Sequence, residues 1–333
     1  MGLFCFFIIS CLFTCCFYLY HANNDDIEIK ELINIGTYNK KLLQFEEKQR
    51  IYYPIDSPKD KAILRLIDNE IENDSLYISH GSSCDEVYCP GQTGTNYFNF
   101  FNRIGKPMML GCFDKCDKLV GIGCGVFKEY KPYLNLNNYS YTWYICGVKI
   151  DKEHQGKRLP YKMLKNKFAT IKKCDKYYGI SMDKKDKTGK TGKKYGESRM
   201  ISICKKIGLF DYNNVIYLFA LNKNEMMVVQ NLLKLYFGKI GYLSLDGIKD
   251  IILTSTNLPI KLLHVQWGFS GQFIGPRCTD SPQDEYIHMF CLHEKNPLLK
   301  KLIKMKLPVH ASATIIHHNM NGTDWNFLLT SDI

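Results

Sequence analysis

The 333-residue sequence has neither the low hydrophobic content nor the high charge that mark a disordered chain. Hydrophobic residues make up 45% and charged residues 23%, which are the proportions of a globular protein. The chain is long enough for two domains of ordinary size. Acidic residues are few, with 33 Asp and Glu against 44 Lys and Arg, and the net charge of +11 favours an anionic partner. The alternative is a Lys-rich solvated surface.

Motifs for nucleic-acid and nucleotide binding are also lacking. There is no basic stripe interleaved with aromatic residues and no groove-reading motif, so we expect no nucleic-acid partner. The stretch "TGKTGKK" (188–194) is not a P-loop, because no Gly lies five residues before its Gly-Lys pair. Cysteine is plentiful, but four cysteines that lie near one another in pairs lack the regular spacing of a structural zinc site. They are Cys84, Cys89, Cys112 and Cys116. We therefore expect free thiols and no metal.

Charge is absent from the first twenty residues. An apolar stretch of this length is roughly what a helix needs to span a bilayer. A cleaved signal peptide would begin with basic residues and end in small ones, whereas Tyr20 is bulky. Lysines follow the stretch and none precedes it. The sequence therefore predicts a transmembrane anchor over 1–21, a tether over 22–60 and a single-pass membrane protein with its globular part in the cytosol.

Hydrophobic periodicity predicts an alternation of strands and helices further along the chain. Two apolar runs flank a tight turn at 114–118 and predict paired strands. The order from there is strand, strand, strand, helix, strand, helix, strand. The corresponding stretches are 106–113, 119–130, 140–150, 157–173, 176–183, 198–210 and 213–222.

A faint repeat relates the two halves of the chain. "ESRMISICKKIGLFDYNNVIYLFA" (197–220) and "EKNPLLKKLIKMKLPVHASATIIHH" (294–318) both run from an acidic start through a helix into a strand. A further strand is predicted for "WNFLLTSDI" (325–333). The repeat favours a second half that is a diverged copy of the first.

The turn "QGKRLP" joins a predicted strand to a predicted helix. Free backbone N–H groups at a helix N-terminus bind phosphate without the help of side chains. Gly156 lets the backbone approach an anion, and Lys157 and Arg158 add positive charge. Pro160 lies in the first helical turn, where its missing N–H costs little. The alternative is an ordinary helix start with solvated basic residues.

Five pieces in order resemble the GNAT superfamily of N-acetyltransferases across about residues 60–222. They are "DKLVGIGCGVF", "YICGVKI", "QGKRLP", "YYGISMD" and "SICKKIGLFD". The resemblance implies that backbone groups of Val148, Lys149 and Ile150 hold the pantetheine and polarise the thioester carbonyl. It also implies that the turn holds the pyrophosphate of an acyl-CoA through Gln155, Gly156, Lys157, Arg158, Leu159 and Pro160. In the superfamily's turn, Gly stands where this chain has Arg158, and Gly or Ala stands where it has Pro160.

One branch of that superfamily, N-myristoyltransferase, has a related Lys-Arg turn and consists of two fused copies of the fold. "GKRLPYKML" is similar to its turn, and the faint repeat agrees with two copies. The stretch "TWYICGVKI" differs from that enzyme's corresponding segment. Arg158 and Pro160 are therefore interpreted as variation within an acyl-CoA turn.

Catalysis in the superfamily is attack of an amine on the thioester, assisted by a base and by a proton donor for the thiolate. The usual donor position, a Tyr in the last helix, holds Cys204 here, with Tyr195 and Tyr212 nearby in the sequence. Glu129 and Asp183 follow predicted strands and are the candidate bases. The alternative for both is a surface carboxylate.

The sequence thus predicts an α/β protein with a mixed central sheet flanked by helices, in two tandem copies. The domains are an acyl-CoA N-acyltransferase domain over 61–222 and a diverged copy over 223–333. The expected function is transfer of acetyl from acetyl-CoA, or of another acyl group, to an amine of a protein N-terminus, a lysine or a small molecule. The alternatives are long-chain transfer resembling N-myristoyltransferase and a non-catalytic acyl-CoA-binding or interaction module. The membrane is the other expected partner, through residues 1–20.

Overall fold

The computed structural model describes residues 27–33, 36–54, 74–80, 96–130, 140–164, 174–182, 201, 212–268 and 277–333. Its strands are β1 (Glu28–Leu32), β2 (Tyr53–Pro54), β3 (Ser75–His80), β4 (Lys106–Phe113), β5 (Leu119–Tyr130), β6 (Ser140–Ile150), β7 (Tyr177–Met182), β8 (Tyr212–Leu221), β9 (Ile240–Ser244), β10 (Lys249–Leu253), β11 (Leu262–Trp267), β12 (Arg277–Thr279), β13 (Ile287–His293) and β14 (Ala311–His318). Its helices are α1 (Gly36–Lys48), α2 (Asn99–Ile104), α3 (159–164), α4 (Lys223–Phe237) and α5 (Pro297–Lys304).

Eleven of these strands form one sheet in the order β1-β4-β5-β6-β7-β14-β8-β13-β11-β9-β12. The pairs β6–β7 and β11–β13 are parallel, and the other neighbours in the sheet are antiparallel. A smaller sheet has the order β10-β3-β2. The predicted mixed sheet flanked by helices is therefore confirmed.

The relative directions of neighbouring strands follow nearly the same order on the two sides of the centre of the large sheet. Strands β14 and β8 pair antiparallel at the centre, and β7 and β13 lie on their outer sides. Each of those two outer strands is then followed by its parallel partner, β6 on one side and β11 on the other. Strand β14, from the end of the chain, thus lies between β7 and β8. The predicted division of the chain at 222/223 stays a prediction, and a strand of the second stretch lies between two strands of the first.

The α4 and α5 helices cover the second half of the sheet. Asn222 and Glu225 form a reciprocal capping box at the start of α4, and Asn296 caps α5 with Pro297 in its first turn. The α4 residues spaced three or four apart pack against β9, β11 and β13 in one apolar cluster: Met226, Val229, Leu233 and Phe237. This part of the core positions β11 and β13.

Strand β1 and helix α1 belong to the folded core. Strand β1 pairs with β4 over its whole length, from Glu28 opposite Phe113 to Leu32 opposite Met109. Leu42 and Phe45 of α1 are buried in the same cluster as the α2 aromatic residues. Within the predicted tether over 22–60, β1 and α1 therefore pack as parts of the folded domain, because one has a strand partner and the other a buried face.

The last nine residues form short helical turns and not the predicted strand. Trp325–Phe327 and Thr330–Asp332 are 3-10 turns that pack on β11 and β13. Gln266 Nε2 of β11 donates to Ser331 Oγ at 3.0 Å, and Thr330 Oγ1 donates to the Met289 carbonyl of β13 at 3.0 Å. The β11–β13 pairing stops at His264 and Met289, and this segment bridges the two strands beyond that point.

The predicted single-pass membrane localisation is contradicted. No helix in the described part of the chain is long and apolar enough to cross a membrane. Residues 1–20, on which the anchor was predicted, lie outside the described residues.

The cysteines that the structure describes form no disulfides with one another. Cys112, Cys124 and Cys291 are free and buried, and Cys116 is free and exposed. Burial raises the pKa of Cys112 and of Cys291 to about 12, so both remain protonated. Cys84 and Cys89 lie outside the described residues.

Candidate active site

An opening in the sheet lies between β6 and β7. These parallel strands pair only from Trp143–Tyr177 to Ile145–Gly179. Beyond Ile145, β6 continues to Ile150 beside β5, while β7 continues to Met182 beside β14. Residues 146–150 of β6 therefore have a strand partner on one side only among the described residues. Their backbone groups on the other side line the opening.

A bulge in β6 determines which way its last side chains face. Ile122 lies opposite Lys149 and Cys124 opposite Cys146, so two residues of β6 oppose one residue of β5. Gly147 supplies the left-handed conformation, with φ of 61°, and its Cα faces the Phe101 ring. After the bulge, Lys149 reaches the α1 side of the sheet.

The residues on either side of Lys149 face the opposite way, toward α3. Val148 and Ile150 pack in the cluster that contains the α3 residues Leu159 and Met163. The resemblance assigned the pantetheine to Val148, Lys149 and Ile150, and the structure places these three residues along the opening.

The turn after β6 contains two residues in the left-handed backbone conformation. Gly156 has φ of 84° with open space where a side chain would begin, and Arg158 has φ of 56°. Arg158 stands where the superfamily's turn has Gly, and it adopts the conformation that Gly adopts readily. Gln155 Nε2 donates to the Ile150 carbonyl at 3.4 Å and ties the turn back to β6.

The α3 helix begins where this turn ends. The N–H of Lys162 donates to the Arg158 carbonyl at 3.1 Å, and Pro160 lies in the first turn. Leu159 and Met163 are buried against β5, where Gly123 leaves room for the Met163 side chain. The first N–H groups of a helix have no acceptor within it and carry its positive dipole end. The turn over Gln155–Pro160 therefore presents donors and positive charge at one end of the opening.

A buried charge cluster lies on the other face of the sheet. Oε1 of Glu46 in α1 lies 2.6 Å from Nδ1 of His80 in β3 and 2.6 Å from Nζ of Lys149 in β6. The backbone N–H of His80 donates to Oε2 of Glu46 at 2.8 Å. Glu46 is 4% exposed and His80 is 8% exposed. Three elements far apart in the sequence thus meet at one carboxylate.

Burial and charge set the protonation of this cluster. Burial alone would raise the pKa of Glu46, but the hydrogen bond and charge of His80 and the charge of Lys149 lower it to about 2. Burial lowers the pKa of His80 below its usual value of 6.5, against the opposing effect of Glu46. At neutral pH the carboxylate is therefore ionised and the imidazole neutral, with its proton on Nδ1 and Nε2 as the basic atom.

A second charge cluster joins the last residues of the chain to this region. The buried carboxylate of Asp332 contacts Nζ of Lys128 in β5 and lies 3.1 Å from a guanidinium nitrogen of Arg103 in α2. Lys249 at the start of β10 contacts the Ile333 oxygen, and its Nζ lies 4.5 Å from the Phe100 ring centroid. Burial lowers the pKa of Lys249 to about 8.

A cavity of about 440 Å³ opens beside α1 and exposes part of the first cluster. Glu46 and His80 lie in its wall, with Ser79 of β3 next to them. Lys40 and Arg50 of α1 lie on the same lining. The volume is within the usual range for small-molecule sites, which is about 300–1,000 Å³.

The candidate catalytic residues from the sequence are placed differently. Glu129 is exposed and pairs with Tyr141 near the start of β6. Because β5 runs antiparallel to β6, Glu129 lies roughly 20 Å along the strands from the bulge, and the structure does not bring it to the opening. Asp183 and Cys204 lie outside the described residues.

Sequence reasoning missed Glu46 and His80. A signal for Glu46 was available, because it shares the i, i+3, i+4 apolar stripe of α1 with Leu42 and Phe45. An acidic residue at such a position is expected to be buried and paired. The pairing itself depends on a contact between residues 34 positions apart, which no local pattern specifies.

Comparison with known proteins gives distant relatives. No protein-family model matches the sequence. An uncharacterized protein of Acanthamoeba polyphaga mimivirus is 26% identical over 249 residues, which cover 72% of this chain and 68% of that protein. Many solved acetyltransferase structures also match.

Three of those structures illustrate the range. NAA60 of Arabidopsis thaliana, in complex with a bisubstrate analogue, is 9% identical and covers 56% of this chain and 87% of its own, at a TM-score of 0.30. A predicted acetyltransferase of Clostridium acetobutylicum with acetyl-CoA is 15% identical, with 56% and 91% covered and a TM-score of 0.29. A GNAT-family acetyltransferase of Staphylococcus aureus is 15% identical, with 47% and 74% covered and a TM-score of 0.25.

The strand order of this chain defines its fold. Antiparallel strands β4, β5 and β6 lead into a parallel strand β7 that separates from β6, and the turn and α3 follow the separated end. This is a mixed α/β fold with a large mixed sheet.

Proposed function

We propose that this chain is an N-acyltransferase that transfers acetyl from acetyl-CoA to an amine by direct attack, without a covalent enzyme intermediate. The observation that supports it best is the opening between β6 and β7 with the turn over Gln155–Pro160 at its end. An opening with one-sided backbone groups suits an extended, amide-containing chain, because amide groups can continue the hydrogen bonding of the strand. Pantetheine is such a chain.

The acyl-CoA would lie along β6 and end at the turn. Backbone groups of Val148, Lys149 and Ile150 would hold the pantetheine, and a backbone N–H there would polarise the thioester carbonyl as charge develops on its oxygen. The pyrophosphate would be bound by the turn, where the N-terminal N–H groups of α3 and the positive charges of Lys157 and Arg158 meet.

The two-copy arrangement is the second part of the proposal. The mirror order of strands about β14 and β8 is the order expected when two copies exchange their last strands. In the second copy, the space between β11 and β13 is bridged by residues 326–331, through contacts such as Trp267 Nε1 to the Asn326 carbonyl at 2.6 Å. We therefore assign the acyl-CoA to the first opening.

The alternative functions differ in the acyl chain or in the chemistry. A protein related to N-myristoyltransferase would prefer a long acyl chain, and the two-copy arrangement favours that alternative. A non-catalytic acyl-CoA-binding or interaction module would bind the ligand without turnover.

A thermal-shift experiment on the full chain separates these functions. Acetyl-CoA, myristoyl-CoA and CoA are compared, because a ligand at 100 times its Kd stabilises the native state by about 2.7 kcal/mol. We expect acetyl-CoA to raise Tm at least as much as myristoyl-CoA does. A larger shift with myristoyl-CoA would favour long-chain transfer, and no shift with any of the three would contradict both enzyme functions.

A matched pair of glycine variants tests the position of the cofactor. Gly156→Glu places a bulky negative side chain in the turn, and Gly322→Glu does the same at a remote glycine with φ of 72° and open space around it. Because both glycines are left-handed and unobstructed, the two variants carry similar backbone strain. We expect only Gly156→Glu to abolish the acetyl-CoA shift. Equal shifts in both variants would refute this placement.

A further inference from the structure

We infer that the cavity beside α1 is the acceptor site, that His80 takes the proton of the acceptor amine, and that this acceptor is a small amine carrying an anionic group. This inference rests on the proposed function and adds to it a substrate class and a base.

The cavity and the phosphate-binding turn lie on opposite faces of the sheet. The α3 residues Leu159 and Met163 pack in one cluster with Val148 and Ile150, while α1 packs on the other face. Lys149 connects the two regions, because its backbone lies along the opening and its ammonium lies 2.6 Å from Glu46. Glu46 in turn lines the cavity. The distance from the cavity to the expected thioester is therefore about the length of one lysine side chain. An acceptor in the cavity would approach from the face of the sheet opposite α3.

His80 has the arrangement of an oriented base. A carboxylate that accepts a hydrogen bond from the Nδ1–H of an imidazole fixes its tautomer. It also stabilises the imidazolium that forms when Nε2 takes up a proton. Glu46 does this at 2.6 Å, and the His80 ring is held by Phe101, stacked at 5.8 Å, and by Tyr97 and Phe100. The lowered pKa of His80 keeps the ring neutral, and so able to accept a proton, at physiological pH.

The rim of the cavity carries positive charge. Lys40 and Arg50 line it and form no ion pair with a described residue, and the Arg50 guanidinium lies 4.4 Å from the Tyr77 ring centroid, which limits its movement. Glu47 also lines the cavity, and Glu46 is already neutralised by Lys149. Two cations at the rim and a base in the wall fit an amine that carries a carboxylate, such as an α-amino acid, because Arg and Lys bind carboxylates.

The reaction balances with these groups. The acceptor enters as an ammonium and gives one proton to Nε2 of His80. Its nitrogen lone pair then forms the C–N bond with the acyl carbon as the C–S bond breaks. The second proton lost by the nitrogen passes to the departing thiolate. The products are the amide, CoA thiol and a protonated His80 that returns its proton to solvent.

The first test uses the full chain, acetyl-CoA, and α-amino acids compared with their uncharged amides. We expect acetylation of the amino acids with a KM at least about tenfold lower than for the amides, since a hydrogen bond between two charged groups is stronger than one to a neutral group. Arg50→Ala should raise KM for the amino acid and leave KM for the amide unchanged. An equal preference for both substrates, or peptides as the better acceptors, would overturn the substrate class.

The second test concerns the base. His80→Gln should lower kcat/KM by about 100-fold or more while the Tm shift with acetyl-CoA persists, which also shows that the variant is folded. Glu285→Gln, at an exposed position, is the control. Turnover in His80→Gln within twofold of the parent would overturn the role of His80 and leave the proposed function standing. Absence of both acetyl-CoA binding and turnover in the parent chain would overturn both.

The pH profile distinguishes a base from a structural histidine. The charged groups around His80 are Glu46, which raises its pKa, and Lys149 and Lys249, which lower it. Glu46→Gln should therefore move the acidic limb of kcat/KM to lower pH, and Lys249→Met should move it to higher pH. Limbs that stay in place in both variants would contradict titration of His80 in the reaction.

Discussion

Nδ1 of His80 lies 2.6 Å from Oε1 of Glu46, and this contact joins the strand β3 to the helix α1 inside the core. The same carboxylate oxygen lies 2.6 Å from Lys149 at the edge of the candidate acyl-CoA opening. One buried carboxylate therefore orients a neutral imidazole and neutralises a lysine. Several consequences of this cluster, and of the backbone around it, can be measured.

The first prediction concerns stability at acid pH. The pKa of Glu46 is about 2 in the folded chain, against 4.5 as its ordinary value, so the unfolded chain binds more protons between these values. Stability should fall as the pH falls from about 4.5 to about 2, and Glu46 should contribute about 3 kcal/mol to the loss. Urea unfolding at several pH values in that range, for the parent and for Glu46→Gln, measures this. The same pH slope in both proteins would contradict it.

The second prediction concerns the bulge in β6. Gly147 has φ of 61°, and a Cβ there would lie 3.2 Å from the Phe101 ring. Gly147→Ala should lower the free energy of unfolding by about 1–2 kcal/mol through backbone strain, and should weaken acetyl-CoA binding by displacing Val148. The control is Gly36→Ala, because nothing lies within 4 Å of its Cβ position. Equal acetyl-CoA affinity in the two variants would separate the bulge from the cofactor.

A third prediction concerns Arg158, whose φ is 56°. Arg158→Gly should change stability by about 1 kcal/mol or less, because relief of the left-handed strain offsets the greater freedom of glycine in the unfolded chain. It should weaken acetyl-CoA binding by removing a charge. Arg158→Val removes the same charge but fits this conformation poorly, so it should also unfold at a lower temperature. Calorimetry and ligand titration of the pair check both effects, and identical Tm values would contradict the left-handed turn.

The fourth prediction compares a buried ion pair with an exposed one. Asp332 is buried beside the buried Lys128 and the half-buried Arg103, so Asp332→Asn leaves these two cations without their counter-charge and should cost about 3–5 kcal/mol. Asp284 pairs with Lys223 at 2.6 Å in an exposed position, and Asp284→Asn should cost about 0.5 kcal/mol or less. Denaturant unfolding of the two variants gives the comparison. Similar losses would show that the Asp332 cluster is solvated.

Much of the first half of the fold could be predicted from local patterns. The strands around the tight turn at 114–118 and the strand that ends at Ile150 lie where periodicity placed them. Of the helix predicted over 157–173, the described residues 159–164 are helical. Their side-chain spacing is a property of short segments, and one apolar face is enough to reveal it. The turn over Gln155–Pro160 was found because strand, loop and helix are adjacent in the sequence.

The errors have a common physical origin in long-range contacts. The charged stretch over 28–48 looked like a tether because only one face of α1 is apolar, and its burial depends on β1 pairing with β4 about eighty residues away. The apolar residues 325–333 looked like a strand, but they form 3-10 turns because β11 and β13 leave a space that they fill.

The sequence by itself determined the secondary structure of β4 to β7, the turn over Gln155–Pro160 and the resemblance to the GNAT superfamily, because each is encoded in neighbouring residues. Only the tertiary structure decided that β14 enters the sheet between β7 and β8, and that Glu46, His80 and Lys149 meet beside one cavity. Strand partners and buried charge pairs are selected by the free energy of the whole packed chain, since a strand edge or a charge is stabilised only by whatever group reaches it.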